Sequence, residues 1–187
     1  MAIIKSVRGF TPRFGQGCFF AENSVIIGDV TAGDGCSFWY GSVIRGDVNT
    51  ITIGNRVNIQ DGAVLHCNYR DSVTTIGDNV SIGHNAIVHG ATIGNNVLIG
   101  MGAIVMDHAV IEDNSVIAAG AVITKHMRIE AGSVWSGVPA SRLKSFEPHQ
   151  LKRMTVKSAD HYIMISGWYR DSREDNDDEE DNRRKNQ

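Results

Sequence analysis

The sequence predicts an all-β solenoid: a parallel β-helix of hexapeptide repeats over 1–146, followed by one C-terminal α-helix over 147–170 packed on the prism. Apolar residues recur every six positions without a break at Ile93, Ile99, Val105, Ile111, Ile117, Ile123, Ile129 and Trp135. Small residues recur four positions later in the repeat, at Ser42, Ala63, Ala86, Ala103, Ala109, Ser115 and Ala121. Glycine is abundant (20) and proline rare (3), as a chain with many tight turns requires.

Six is neither the 3.6 of a helix nor the two of a strand. It suits a solenoid in which each repeat makes one short strand and one corner. Three repeats close a triangular turn, and turns stack about 4.8 Å apart through strand hydrogen bonds. The aliphatic and the small residue of each repeat point inward and form one continuous core.

In chain order, the first set of inward positions is Ile26, Ala32, Phe38 and Ile44. The second is Ile53, Ile59 and Leu65, and the third Ile76, Ile82 and Val88; the long run from Ile93 follows. Eighteen such hexads make about six turns. Short insertions fall near 45–52 and 66–75. Trp135 occupies an inward position near the last turn and reads as a core plug. Pro148 suits the first turn of a helix. Leu151, Met154, Ala159, Tyr162, Ile163 and Ile165 supply its apolar stripe. The segment 171–187 has eight acids and four bases, a net charge of −4, and no apolar side chain. It reads as a disordered acidic tail.

Composition excludes several classes. The net charge of −3 lies mostly in that tail, leaving about +1 elsewhere and no basic patch for nucleic acid. No apolar run approaches the roughly 20 residues of a membrane span. The first residues, MAIIKSVRGF, contain no secretory h-region. Three cysteines, Cys18, Cys36 and Cys67, do not make a disulfide scaffold and fit a reducing cytoplasm.

The register gives each outward residue an address. Leu65 and Val88 share a face one turn apart, so His66 and His89, which follow them, share a column; Arg45, after Ile44, joins it. Two histidines about 5 Å apart can reach one metal ion. His84 follows Ile82 by two, as Asp61 follows Ile59, so these two share a column on another face. His84 therefore cannot complete the site within its own chain. A second copy can supply it, and a closed trimer makes three such sites, each from His66 and His89 of one chain and His84 of the next. His108, His126, His149 and His161 have no partner in the register and read as surface residues. Cys67, beside His66, reads as a spectator thiol, and Trp39 and Tyr40 as packing at a subunit contact.

The stretch VIRGDVNTITIGNRVNIQDGAVLHC, followed by SIGHNAIVHG, resembles the γ-class carbonic anhydrases over roughly residues 9–170. The resemblance implies a left-handed coil and a homotrimer with a metal at each interface. It implies His66, His84 and His89 as the ligands. Arg45 and Asp61 are implied as an interface salt bridge with Asp47 in the same network, Gln60 as the holder of the metal-bound water, and Asn58 as a rim residue. Tyr162 resembles a tyrosine that approaches the pocket. The implied reaction is reversible hydration of CO2 to bicarbonate by a metal-bound hydroxide. Three neutral imidazoles and an open position suit Zn²⁺, and imidazole also suits Fe²⁺ and Co²⁺. Two positions depart from the pattern. Val48 stands where the best-studied members carry a glutamate, and the loop CNYRDSVTT, with Asp71 as its one acid, replaces a longer acidic loop. Proton transfer then falls to water or buffer. Two other readings stay open: a hexapeptide-repeat acyltransferase or thioesterase, and a catalytically weak metal-stabilised structural trimer.

Overall fold

In the computed structural model, which describes residues 1–185, parallel strands stack into a left-handed triangular prism. The first face carries Val25–Ala32, Val43–Ile53, Val64–His66, Ile87–His89, Ile104–Val105 and Val122–Ile123. The two long strands bend through a corner onto the second face, which continues with Thr74–Ile76, Thr92–Ile93, Val110–Ile111 and Arg128–Ile129. The third face runs from Phe19–Phe20 through Ser37–Phe38, Asn58–Ile59, Ser81–Ile82, Leu98–Ile99 and Val116–Ile117 to Ser133–Ser136. Ser141–Ser145 pairs antiparallel with that last strand and caps the stack.

There are about seven turns, not the six that the hexad count gives. The missed turn is the first. Phe14 pairs with Ala32 and Phe20 with Phe38, so the register extends back from Ile26 in steps of six. Its inward residues are aromatic because this turn ends the prism. Phe20 stacks on Phe38 (5.2 Å between ring centres), and Phe14 meets both edge-on. Trp135 packs on the core at the other end, as expected. Between the plugs, every inward hexad residue from Ile26 to Ile129 is at most 3% exposed.

The corners explain the recurring asparagines. Asn79, Asn96 and Asn114 have positive φ of 54–58°, a conformation that asparagine tolerates better than most residues. Their amides form a ladder: Asn79 Nδ2 donates to Asn96 Oδ1, and Asn96 Nδ2 to Asn114 Oδ1, both at 3.2 Å. Beside it, Asp78, Asn95 and Asp113 each accept the backbone N–H of the corner in the preceding turn, at 2.7–2.9 Å. Corner N–H groups that no strand can use are satisfied this way.

The helix, Pro148–Lys185, begins at the expected proline and continues past Arg170 through the segment read as a disordered tail. Neither proline nor glycine interrupts the chain between Gly167 and Lys185. Residues 186–187 of that segment lie outside the described residues. The buried stripe is Leu151, Thr155, Ala159 and Ser166, whereas Met154 is exposed. Thr155 is tolerated inside because its hydroxyl donates to the Leu151 carbonyl (3.1 Å). The helix lies on the third face, tied by the Arg56–Asp160 ion pair and by Ser158 to Ser81 (2.9 Å). Trp39 is covered here by Phe19, Tyr162 and Tyr169 within the same chain, which corrects its reading as a subunit contact. Tyr40 packs against the same cluster. No helix among the described residues is long and apolar enough to cross a membrane.

Asn96→Ala should cost about 2–5 kcal/mol, the strain of a left-handed alanine plus two lost ladder bonds. Asn96→Gly keeps the backbone conformation and should lose less. Urea denaturation of both variants decides this; equal losses would show that the backbone conformation is not what asparagine supplies.

Candidate metal centre

The predicted column exists. His89 pairs with His66 in the strand register, and Ile44 pairs with Leu65, which sets Arg45 one turn below His66. His66 Nδ1 stands 3.1 Å from His89 Nε2. Two nitrogens held tetrahedrally at about 2.0–2.1 Å from one ion lie about 3.3 Å apart, so this pair has the spacing of two metal ligands.

Each ring has a carboxylate behind it. His66 Nε2 lies 3.1 Å from Asp47 Oδ1, and His89 Nδ1 lies 2.9 Å from Asp107 Oδ1. With the far nitrogens donating to these carboxylates, the near nitrogens are bare and face each other. Burial lowers the His66 pKa, and the charges of Arg45 and His89 add to this against the pull of Asp47. The ring is thereby held neutral, as a ligand must be. Burial alone would raise Asp47, but hydrogen bonds from Arg45 and His66 and the Arg45 charge outweigh it and hold the carboxyl below its usual range. Arg45 Nη1 meets Asp47 Oδ2 at 2.6 Å.

Asp107 was not among the predicted residues. Its side chain is 7% exposed and also accepts from Ser72 Oγ (2.8 Å) and Asn68 Nδ2 (3.0 Å). Burial would raise its carboxyl, but the Ser72 bond and His89 outweigh this and hold it low. The signal was available: Asp107 follows Val105 by two, and Val105 pairs with Val88. Gly90 makes the contact possible, since a Cβ there would collide with Ser72 Oγ and Asp107 Oδ1.

His84 lies apart from this pair. Its Nδ1 is 2.8 Å from Asp61 Oδ2, in the predicted second column. Among the described residues no group of three His, Cys, Asp or Glu surrounds one point. Gln60 is buried beside this column and donates to Asn58 Oδ1 (3.0 Å), which leaves its carbonyl oxygen free of that bond. Asn58 in turn donates to Ser81 (2.8 Å). Tyr162 packs edge-on against Trp39, and burial, assisted by the charge of Asp61, pushes its phenol up to about 12. Arg45 and Asp61 each have a partner within the chain, Asp47 and His84 respectively.

Two other readings change. His108 bonds Asp71 (3.2 Å) and stacks on His126 at 5.0 Å, so both have partners. They occupy the same positive-φ corner on successive turns. Burial pushes the Cys67 thiol up to about 11, as a spectator thiol would be. At the mouth of the corner, the guanidinium groups of Arg8 and Arg70 lie 5.8 and 4.9 Å from the Tyr69 ring.

Beside the histidine column runs an unbroken outward ladder of branched apolar residues: Val25, Val43, Val64, Ile87, Ile104 and Val122. Ile87 and Ile104 are exposed, at 37% and 36%. On the second face the corresponding outward positions are Thr52, Thr75, Thr92, Val110 and Arg128.

Comparison with known proteins agrees with this architecture. Residues 90–125 match the family described as bacterial transferase hexapeptide (six repeats), and 73–106 the hexapeptide repeat of succinyl-transferase. The chain is 38% identical over 161 residues to "Gamma carbonic anhydrase 2, mitochondrial" of Arabidopsis thaliana, covering 83% of this chain and 58% of that protein. It thus spans less than two thirds of that plant relative's length. It is 44% identical over 146 residues to "Probable carbonic anhydrase" of Methanocaldococcus jannaschii, covering 78% and 91% respectively. The crystal structure of a hexapeptide transferase family protein from Anaplasma phagocytophilum superposes with a TM-score of 0.84 at 41% identity, covering 89% of this chain and 98% of that one.

Proposed function

The chain belongs to the γ-class carbonic anhydrase family, and from that premise we propose that it hydrates CO2 reversibly at metal centres shared between the chains of a homotrimer. The observation that carries the proposal is the 3.1 Å approach of His66 Nδ1 and His89 Nε2, each ring backed by a carboxylate. The trimer is supported by the outward apolar ladder, a surface that stable monomers seldom expose. It lies on the same face as His66 and His89, whereas His84 lies with Asp61 in another column.

His66, His89 and a neighbour's His84 would hold the ion, Zn²⁺ or alternatively Fe²⁺ or Co²⁺. Held there, the ion would supply Lewis acidity, and zinc would lower the pKa of a coordinated water to about 7. Asp47 and Asp107 fix the ring tautomers and orientations, a support whose loss typically costs 10–100-fold in metal affinity. Arg45 offsets the charge of Asp47 and, in the trimer, faces Asp61 of the next chain. Gln60 presents its free carbonyl oxygen to hold the reacting water, with Asn58 fixing its amide. Tyr162, kept protonated by burial, offers an O–H to substrate. No glutamate stands at position 48, and Asp71 is paired with His108, so the product proton passes to water or buffer. The transferase names among the matches follow the repeat; fold alone does not assign a reaction.

Stopped-flow CO2 hydration tests the reading. Chain loaded with Zn²⁺, Fe²⁺ or Co²⁺ should turn over with at least one ion, speed up as buffer concentration rises, and lose turnover in His89→Ala. A metal-loaded trimer inert with all three ions would overturn it. Elemental analysis should show metal lost as fully in His84→Ala as in His89→Ala. One ion per chain retained in His84→Ala would defeat the shared site.

A further inference from the structure

Two cysteines outside the candidate centre stand one above the other. Cys18 and Cys36 each fall four residues after an inward hexad residue, Phe14 and Ala32, and each directly precedes a strand of the third face. Phe19 pairs with Ser37, and Phe19 N donates to Cys36 O (2.8 Å). The two cysteines are therefore cross-strand neighbours on the first and second turns. Parallel strands lie about 4.8 Å apart, within the roughly 4.4–6.8 Å Cα separation that a disulfide spans. Both thiols are free.

Their surroundings differ. Cys36 is 1% exposed in the main core, whereas Cys18 is half-buried at the end of the prism. Hydrogen bonding to Cys36 lowers the Cys18 pKa to about 7 against the cost of burial and the charge of Asp34, and the Arg170 guanidinium helps. Arg170 is held there by its bond to the Gly17 carbonyl (3.0 Å). The neighbouring Cys18, with burial, drives the Cys36 thiol far upward, and the Cys36 thiol donates to the Gly54 carbonyl (3.1 Å). One thiol of the pair is thus activated and accessible, and the other waits behind it.

We propose that Cys18 and Cys36 form a peroxide-reactive dithiol, in which a hydroperoxide oxidises Cys18 and Cys36 then closes an intrachain disulfide between the first two turns. The Cys18 thiolate attacks the hydroperoxide; an S–O bond forms, the O–O bond breaks, the alkoxide takes a proton from water and leaves as the alcohol, and Cys18 becomes a sulfenic acid. The thiolate that raised the Cys36 pKa is then gone. The Cys36 sulfur attacks Cys18 Sγ, the S–O bond breaks, and water leaves with the Cys36 proton. Two thiols supply two electrons, and one hydroperoxide becomes one alcohol and one water.

The test uses the full chain and hydrogen peroxide, followed by iodoacetamide and non-reducing peptide mass mapping. A Cys18–Cys36 linked peptide with Cys67 alkylated is expected. In Cys36→Ser, which keeps a hydrogen-bonding group beside Cys18 but cannot close a disulfide, dimedone should trap a sulfenic acid at Cys18. Peroxide-treated wild type with Cys18 and Cys36 both still alkylated overturns the proposal, as does linkage through Cys67 or between chains. A second readout needs no oxidation or variant. Alkylation of Cys18 should rise about tenfold from pH 6 to 8 and then level off, where a thiol near 9 climbs about ninetyfold and keeps rising. A continued climb to pH 9 would remove Cys18 as the attacking thiol.

Discussion

The structure depends on one constraint: successive turns must keep the rise of about 4.8 Å that strand hydrogen bonds impose. Equal rise turns sequence spacing into spatial columns. It also restricts where irregularity can go. The hexad period breaks at three places, Ile44 to Ile53, Leu65 to Ile76 and Val88 to Ile93. All three lie at the corner where the first face passes into the second. The core is undisturbed, and the irregular chain gathers beside His66 and His89. Asp47, Asn68, Ser72 and Gly90 all come from these breaks, and Asn49 joins two of them by donating to Ser72 O (2.9 Å).

That corner offsets the cost of burying charge. Asp107 is nearly inaccessible, yet it has His89, Ser72 and Asn68 as partners and Lys125 at 3.9 Å. An unpartnered carboxylate there would be strongly destabilising. Asp47 is divided between Arg45 and His66. Both carboxylates are satisfied before any ion binds, and both orient the imidazole that an ion would use. The opposite side of the prism does different work. There the helix covers Trp39 and Phe19, and Gln60, Asp61, His84 and Tyr162 are assembled near its edge. Two incomplete half-sites on different sides of one prism are what a cyclic trimer can join.

Much of this was legible in the sequence, because columns follow from counting. The inward set, the pairing of His66 with His89 and the pairing of Asp61 with His84 all came from six-residue arithmetic. The first turn was missed because Phe14 and Phe20 do not look like the aliphatics that mark the later turns. Asp107 was missed because the column was not followed one turn beyond His89. Trp39 was misplaced because periodicity gives the face of a residue but not what covers it. The helix stripe was misread at Met154 and Thr155, since a threonine can satisfy its hydroxyl within the helix and be buried. The pairing of His108 with Asp71 depends on the path of the 67–73 loop, which no repeat specifies.

The most direct test of a centre shared between chains is complementation. His84→Ala and His89→Ala chains, each lacking a different half of the site, would be unfolded together, refolded as mixed trimers and assayed for bound Zn²⁺. If each site takes its ligands from two chains, neither variant alone holds the ion, and random mixing restores about a quarter of the wild-type metal. Mixed trimers no richer in metal than the separate variants would contradict the shared centre, as would one ion per chain in either variant alone.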